Sequence, residues 1–275
     1  MPELPEVETT RSGIEPYLKE ATITDVIIRN FSFRWPIESD LADTLKNQTF
    51  HHIKRRGKYL LFQCDSGTLI IHLGMSGSLR VLAIEDGISP EKHDHLDIEL
   101  NNGHLLRYTD PRRFGAILWT SQPIEQHRLL SHLGPEPLTK QFNANYLWQK
   151  IQSRRCSIKT LIMNGKVVVG VGNIYANEAL FLSGIFPKII ANQLTLKQCT
   201  KLVDEIKSVL VHAIVAGGTT LKDFRKSDGK PGYFAQELNV YGRKGEACFH
   251  CGSAIQHYKE TQRATYYCPQ CQNSI

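Results

Sequence analysis

Near the end of the chain Cys248 and Cys251 are followed, after sixteen residues, by Cys268 and Cys271. Two C-x2-C knuckles at that interval place four thiolates around one Zn²⁺, with a short hairpin between them. All four coordination positions are then filled by protein, so no place remains for a reactive water. Such an ion folds the tail and does not catalyse. A pair of disulfides is the alternative, and a reducing cytoplasm disfavours it. His250 and His257 lie close by in sequence and are surplus to a four-cysteine set. The other cysteines, Cys64, Cys156 and Cys199, stand singly and read as core thiols.

The zinc tail carries Arg243, Lys244, Lys259 and Arg263. On charge alone Arg263, lying between the knuckles, is equally a phosphate ligand or a solvated arginine. Charge elsewhere is also clustered. Residues 1–53 hold nine acids against five Lys/Arg, and Lys54, Arg55, Arg56 and Lys58 then arrive together. Residues 150–170 carry Lys150, Arg154, Arg155, Lys159 and Lys166 and no acid. Several positive clusters within a net charge of +6 favour a polyanion, and nucleic acid is the commonest one. No run approaches the roughly 20 apolar residues of a membrane span. The start, Met1-Pro2-Glu3-Leu4-Pro5-Glu6, lacks the basic and apolar regions of a secretory signal, so a cytoplasmic location is expected.

At 275 residues two domains are expected. Residues 3–18 predict a helix with acids at its positive end. From 22 to 120 short β-branched and aromatic runs follow: Ile23–Arg29, Tyr59–Gln63, Thr68–Leu73, Leu96–Leu100, His104–Tyr108 and Ala116–Thr120. Turn signals separate them, which suggests a sandwich or barrel. Gly134-Pro135-Glu136-Pro137 marks a boundary. Helices are expected over 143–163, 173–184 and 195–216, the second with Asn173 as its N-cap after Gly170-Val171-Gly172. That glycine turn, placed between helices, offers backbone N–H groups to a phosphate, although an ordinary helical hairpin would look the same. A dinucleotide fingerprint fails, because Tyr175 occupies the third glycine position. Residues 217–233, rich in glycine, predict a long mobile loop, and loops of that length are usually functional or disordered.

If Met1 is removed, the chain begins with the secondary amine of Pro2. An α-amine has a reference pKa of about 8 against about 10.4 for lysine, so more of it is neutral near pH 7. A neutral amine can attack a sugar C1′ and form an iminium, with Glu3 placed to protonate the ring oxygen. Taken alone, the pattern reads first as a helix start, because most N-terminal prolines open helices and acids after them cap the dipole.

These motifs together resemble the bacterial formamidopyrimidine-DNA glycosylases, enzymes that excise 8-oxoguanine and cleave abasic sites. The resemblance lies in Pro2-Glu3-Leu4-Pro5-Glu6-Val7-Glu8, Arg56-Gly57-Lys58-Tyr59-Leu60, His72-Leu73-Gly74-Met75-Ser76-Gly77, Tyr108–Gly115, the Val169–Ala176 turn and the cysteine knuckles. It runs nearly end to end. It implies an α+β protein: an N-terminal β-sandwich with an N-terminal helix over 1–133, and a C-terminal helix–two-turn–helix domain over 134–237. The loop 217–233 belongs to that second domain, and a four-cysteine zinc finger follows over 238–275. DNA would run between the domains, and the loop would close over the flipped base.

The resemblance further implies that Pro2 is the nucleophile and Glu3 the proton donor. Lys58 would lie at the lesion and its phosphate, and Arg263 would grip phosphates and assist strand cleavage. Glu6 and Glu178 would shape the site. Met75, Arg112 and Phe114 would fill the void left by the flipped nucleotide, Phe114 wedging the stack and Arg112 bonding the orphaned cytosine. The glycines around Met75 and the Pro111 turn favour loop tips for Met75 and Phe114 over core positions. Lys159, Asn173 and Tyr241 match phosphate contacts and His93 a DNA-binding histidine, while Arg154 stands where relatives often carry lysine.

One structural Zn²⁺ is implied, with no redox or nucleotide cofactor and no magnesium. The partner is duplex DNA with oxidised purines, 8-oxoguanine opposite cytosine preferred, bound by a monomer that joins the nucleoid when on DNA. Two rivals remain: an endonuclease VIII-type glycosylase for oxidised pyrimidines, and a zinc-finger DNA-binding protein with no chemistry. Leu4 with the Arg112/Phe114 pair favours the purine branch. The Pro2/Glu3 start argues against the second rival.

Overall fold

The structure, a computed structural model, describes residues 2–218 and 238–272. The expected loop 217–233 therefore lies almost wholly outside the described residues, with only Gly217 and Gly218 inside them. The described chain divides into two compact units, one of residues 2–131 with 216–218, the other of residues 132–215 with 238–272.

The first unit opens with helix α1 (Leu4–Leu18), capped by Glu3, with Pro5 in its first turn. Glu3 N donates to Glu6 Oε2 at 2.8 Å, and the reciprocal contact closes a capping box. Strand β1 (Ile23–Ile28) and the short helix α2 (Leu41–Leu45) come next. Seven strands follow: β2 (His52–Arg56), β3 (Tyr59–Gln63), β4 (Thr68–His72), β5 (Ser78–Ala83), β6 (Asp94–Leu100), β7 (His104–Thr109) and β8 (Ala116–Thr120). They form two antiparallel four-stranded sheets, ordered β1-β6-β7-β5 and β2-β3-β4-β8.

All six expected strands are present. Two more were not expected: β2, whose His52-Ile53-Lys54-Arg55-Arg56 has one apolar residue, and β5, whose burial is mostly partial. Both sit at the edge of a sheet, where one side of the backbone pairs and polar side chains reach water. One apolar core joins the sheets. Val26, Ile98, Leu106 and Tyr108 of the first sheet share it with Leu60, Phe62, Leu69 and Ile71 of the second, and α1 adds Val7, Ile14 and Leu18.

The first sheet also carries a buried ionic array. Arg107, 2% exposed, grips Asp97 through Nε and Nη2, each at 2.8 Å, and Arg29 donates to Asp97 Oδ2 at 2.6 Å. Arg80 and Thr109 complete the array around Asp94. Burial pushes the Asp97 carboxyl up, but the bonds from Arg107 and Arg29 outweigh it and hold it below the usual range. A depressed carboxylate contributes stability above its unfolded pKa and loses it as pH falls through the folded value. Asp97→Asn should therefore cost up to about 3–5 kcal/mol at neutral pH, since it leaves the buried Arg107 with only the looser counter-charge of Asp94 at 3.7 Å. The gap in Tm between variant and parent should narrow below about pH 4. A gap independent of pH would show that the ion pairs contribute nothing specific.

The second unit contains α3 (Ala144–Ile151), α4 (Ile158–Ile162), α5 (Asn173–Ser183) and α6 (Leu196–Val215), then β9 (Gln256–Glu260) and β10 (Arg263–Tyr267). The pattern predicts one helix over 143–163, and two are found. Ser157 breaks the run by capping α4, its Oγ accepting from Thr160 N at 3.1 Å. A serine in that position competes for the backbone and starts a new helix. Among the described residues no helix is long and apolar enough to cross a membrane.

Candidate DNA-repair site and zinc centre

In the first unit, α1 carries the candidate acid–base groups. Pro2 directly precedes the cap, and Glu3 and Glu6 are each 2% exposed. The capping box holds both carboxyls at the positive end of the helix, where backbone N–H groups favour negative charge. A Cβ added to Gly218 would lie 3.2 Å from Glu6 Oε1, so the chain passes close over this acid before leaving the described residues.

Lys58 lies half-buried in the β2–β3 turn, made possible by Gly57 at φ 57°. Arg55 ties that turn to α1: its Nη1 donates to Gly57 O at 3.0 Å and its Nε to Glu8 Oε2 at 2.7 Å. His72 opens one of the sequence motifs but is given no role there; its ring packs 4.8 Å from that of Tyr59 beside this turn. Its Nδ1 accepts from Gly74 N at 2.9 Å. Burial, with the charges of Lys58 and Arg34, pushes the imidazole down to about 4, so it is neutral at physiological pH. The signal in the sequence is its place directly before the Leu73–Gly77 loop.

Two loops of the same unit present large exposed side chains. Met75 is 36% exposed and Phe114 44%, which places both at loop tips and not in the core. The Arg112 guanidinium stacks 4.8 Å from the Phe114 ring. His93 is half-buried at the entry to β6, its carbonyl accepting from Asp110 N at 3.0 Å.

In the second unit the remaining candidates gather around the β9–β10 hairpin. Its two-residue turn, Thr261-Gln262, has φ of 45° and 65°, the geometry of a tight hairpin turn that normally selects Asn-Gly. A β-branched residue in this region is strained, and the strain sits directly before Arg263. Arg263 is exposed at the start of β10. Lys159 is buried beneath the hairpin, its Nζ donating to Thr265 Oγ1 at 2.7 Å and Ala264 O at 3.1 Å. Asn173 does not fill its expected place as the cap of α5. Gly172 is the cap, and Asn173, as the first helical residue, turns its Nδ2 to Ala264 O at 3.0 Å. Glycine suits this turn because the chain needs φ of 82° at Gly170. The Asn173 side chain is thereby released to meet the hairpin.

Glu178 proves to be an organiser of this unit. Its buried carboxylate accepts from the backbone N–H groups of Asn239, Val240 and Tyr241 at 2.8, 3.0 and 2.9 Å. A carboxylate collecting several amides fixes a loop firmly. Here it sets Tyr241, whose ring meets Tyr266 edge-on at 5.2 Å. Arg154 is exposed in the segment between α3 and α4, on a different stretch of chain from the hairpin.

The four cysteines come together. Their Sγ atoms all lie within 4.8 Å of one another, with Cys248–Cys271 at 3.9 Å and Cys251–Cys268 at 3.4 Å. Zn–S bonds of about 2.3 Å in a tetrahedron put sulfurs roughly 3.8 Å apart, so the set fits Zn²⁺. Cys248 and Cys268 are buried against Phe181, Val240 and Ile255. Gly252, at φ 77°, turns the first knuckle. His250 packs on Phe181 and His257 on Tyr266, which accounts for both without a metal role.

Comparison with known proteins follows the same division. Residues 1–117 match the formamidopyrimidine-DNA glycosylase N-terminal domain, residues 133–225 its H2TH domain, and residues 245–273 the zinc finger found in FPG and IleRS. A formamidopyrimidine-DNA glycosylase of Hydrogenovibrio crunogenus is 58% identical over 275 residues, covering 100% of this chain and 98% of that protein. One from Escherichia coli O7:K1 is 57% identical over 272 residues, covering 99% and 100%. Among solved structures, MutM (Fpg) of Thermus thermophilus superposes with a TM-score of 0.88 at 34% identity, covering 98% of each chain. Lactococcus lactis Fpg in complex with DNA containing an abasic site superposes at 0.90 and 34%, covering 99% of this chain and 100% of that one. With family models spanning most of its length and a full-length relative at 58% identity, the chain belongs to the formamidopyrimidine-DNA glycosylase family.

Proposed function

We propose that this protein is a bifunctional glycosylase and abasic-site lyase that removes oxidised purines, 8-oxoguanine opposite cytosine foremost, from duplex DNA. The observation that carries the reading is the first unit's pairing of two buried carboxyls beside Pro2 with an exposed Met75/Arg112/Phe114 surface. A DNA-binding module without chemistry has no need of the former. An enzyme acting on a base inside a duplex must take it out of the stack, and the latter is suited to filling the gap.

In the proposed reaction, loss of Met1 exposes the Pro2 amine. The amine attacks C1′ of the flipped nucleotide as Glu3 protonates the ring oxygen, and the oxidised base departs. The resulting Schiff base undergoes β- and then δ-elimination, which leaves a one-nucleotide gap with phosphates at both ends. Lys58 serves the lesion and its phosphate, and Glu6 holds the cap geometry of Glu3. Asn173, Tyr241, Arg154 and Arg263 serve the backbone from the second unit and His93 from the first. Lys159, buried beneath the hairpin, serves it by bracing the hairpin that carries Arg263 and not by the phosphate contact its sequence match implies. When bound to Cys248, Cys251, Cys268 and Cys271, Zn²⁺ supplies structural rigidity to the hairpin that carries Arg263. We assign residues 1–133 to catalysis, 134–237 to DNA binding with a lesion loop at 217–233, and 238–275 to the finger. The working form is a cytoplasmic monomer that associates with the nucleoid through DNA.

Borohydride trapping tests the assignment. Duplex carrying 8-oxoguanine opposite cytosine should yield a covalent protein–DNA adduct in excess of duplex carrying thymine glycol. Adduct mainly on thymine glycol would transfer the protein to the pyrimidine branch, and none on either would remove the lyase chemistry.

A further inference from the structure

The carboxylate of Asp110, between β7 and β8, is 0% exposed and accepts from four donors. Oδ1 takes Ser76 Oγ at 2.6 Å and Arg112 N at 3.3 Å. Oδ2 takes Gly115 N at 2.9 Å and Tyr108 Oη at 3.3 Å. Ser76 Oγ in turn accepts from Arg112 N at 3.2 Å. The backbone of the same residue is equally engaged. Its N–H donates to His93 O, and its carbonyl accepts from Arg113 N at 3.2 Å and His95 Nε2 at 2.9 Å.

One residue thus reaches the loop of Met75, the loop of Arg112 and Phe114, and the strand entry at His93. The loops also touch directly. A Cβ on Gly74 would lie 2.5 Å from Gly115 N and from Phe114 C, and one on Gly115 would overlap Tyr108 Oη. The side chains at the tips are too exposed to fix their own loops by packing, so the hydrogen bonds beneath them must do so.

We propose that Asp110 is a positioning residue that locks these loops into one preset wedge, and so governs flipping and the reading of the opposite base without touching DNA. This rests on the void-filling role proposed above for Met75, Arg112 and Phe114. Opening a base step already costs free energy. Loops that had to order during insertion would add their conformational entropy to that cost, and preset loops do not. Asp110 suits the role because a carboxylate only accepts, and four donors converge on it. An amide in its place turns its NH2 either toward Gly115 N, which then loses its acceptor, or toward Ser76 Oγ and Arg112 N, which both lose the carboxylate and keep only each other.

The test compares Asp110→Asn with the parent on two substrates. Excision from an 8-oxoguanine:cytosine duplex should fall in kcat/KM on the order of tenfold to a hundredfold, and the preference for cytosine over adenine opposite the lesion should flatten. Borohydride trapping on a single-stranded oligonucleotide with an abasic site, which needs no wedge, should stay within about threefold of the parent. An equal fall on both substrates, or no fall on the duplex, overturns the proposal. If Asp110→Asn does not fold, Ser76→Ala removes one arm of the same network and is read by the same two ratios. Phe114→Ala separates the two levels. Full duplex excision by Phe114→Ala would sink the void-filling role itself. Impaired Phe114→Ala beside an unimpaired Asp110→Asn would sink only the positioning role.

Discussion

Replacing Cys268 by alanine should remove the bound zinc and with it most of the affinity for damaged duplex. Cys268 is fully buried against Phe181, Val240 and Ile255, so the change removes one ligand and leaves a cavity in the apolar cluster that supports the finger. Burial holds the Cys268 and Cys271 thiols up, whereas hydrogen bonds with Ser253 draw Cys251 down to about 6. A divalent cation lets all four ionise together. Structural zinc contributes about 10–16 kcal/mol in isolated finger peptides, far more than a short hairpin can replace.

With the finger unfolded, Arg263 loses its mount and Lys159 and Asn173 lose the Ala264 carbonyl they share. The Kd for duplex DNA should rise by at least about a hundredfold, or roughly 2.7 kcal/mol, and its salt dependence should flatten as phosphate contacts disappear. Elemental analysis for zinc and fluorescence anisotropy at several salt concentrations measure both effects. A zinc-free Cys268→Ala protein that bound damaged duplex normally yet failed to cut it would contradict this division of labour.

The second large effect is expected at Glu3. Glu3→Gln keeps a side-chain oxygen for the cap, so α1 should remain folded. In the proposed reaction it removes the proton for the ring oxygen, and loss of a positioned general acid typically costs about 10²–10⁴-fold. Excision of 8-oxoguanine should fall by that order, while adduct formation on a preformed abasic site, whose base has already gone, should largely survive. Pro2→Glu, whose bulk blocks removal of Met1 and so takes the terminal amine away from position 2, supplies the complementary result, a loss of adduct on both. Retained adduct with a Pro2→Glu protein whose intact mass includes Met1, or an equal loss on both substrates with Glu3→Gln, would falsify the assigned roles.

Much of this is legible in the sequence because its signals are local. The cysteine spacing specifies a four-thiolate set wherever the chain lies, and the six alternating or apolar runs pair as strands at nearly the expected limits. Elsewhere the deciding interaction is tertiary or falls on a weak pattern. The helix expected over 143–163 breaks at Ser157, whose cap outweighs the apolar periodicity on either side. The strands β2 and β5 are edge strands whose polar residues hide the period.

Site residues divide in the same way. Pro2, Glu3 and Lys58 are visible in motifs, and the roles expected of them come from the resemblance those motifs carry. Which partner each side chain meets is not visible, because those partners lie far along the chain. Lys159 and Asn173 match phosphate contacts in the sequence, but only folding shows both reaching Ala264, about a hundred residues on. Glu178 matches an acid that shapes the site, and only folding gives it the amides of residues 239–241. Asp110 is one letter of a motif until Ser76, Tyr108, Arg112 and Gly115 close around it. The sequence by itself determined the ligand set and the order of elements, since these depend on residue identity and short spacing, and the class of chemistry through the family its motifs resemble. Only the tertiary structure decided which donors each buried carboxylate collects, because Glu178 and Asp110 meet partners that the chain order does not bring together.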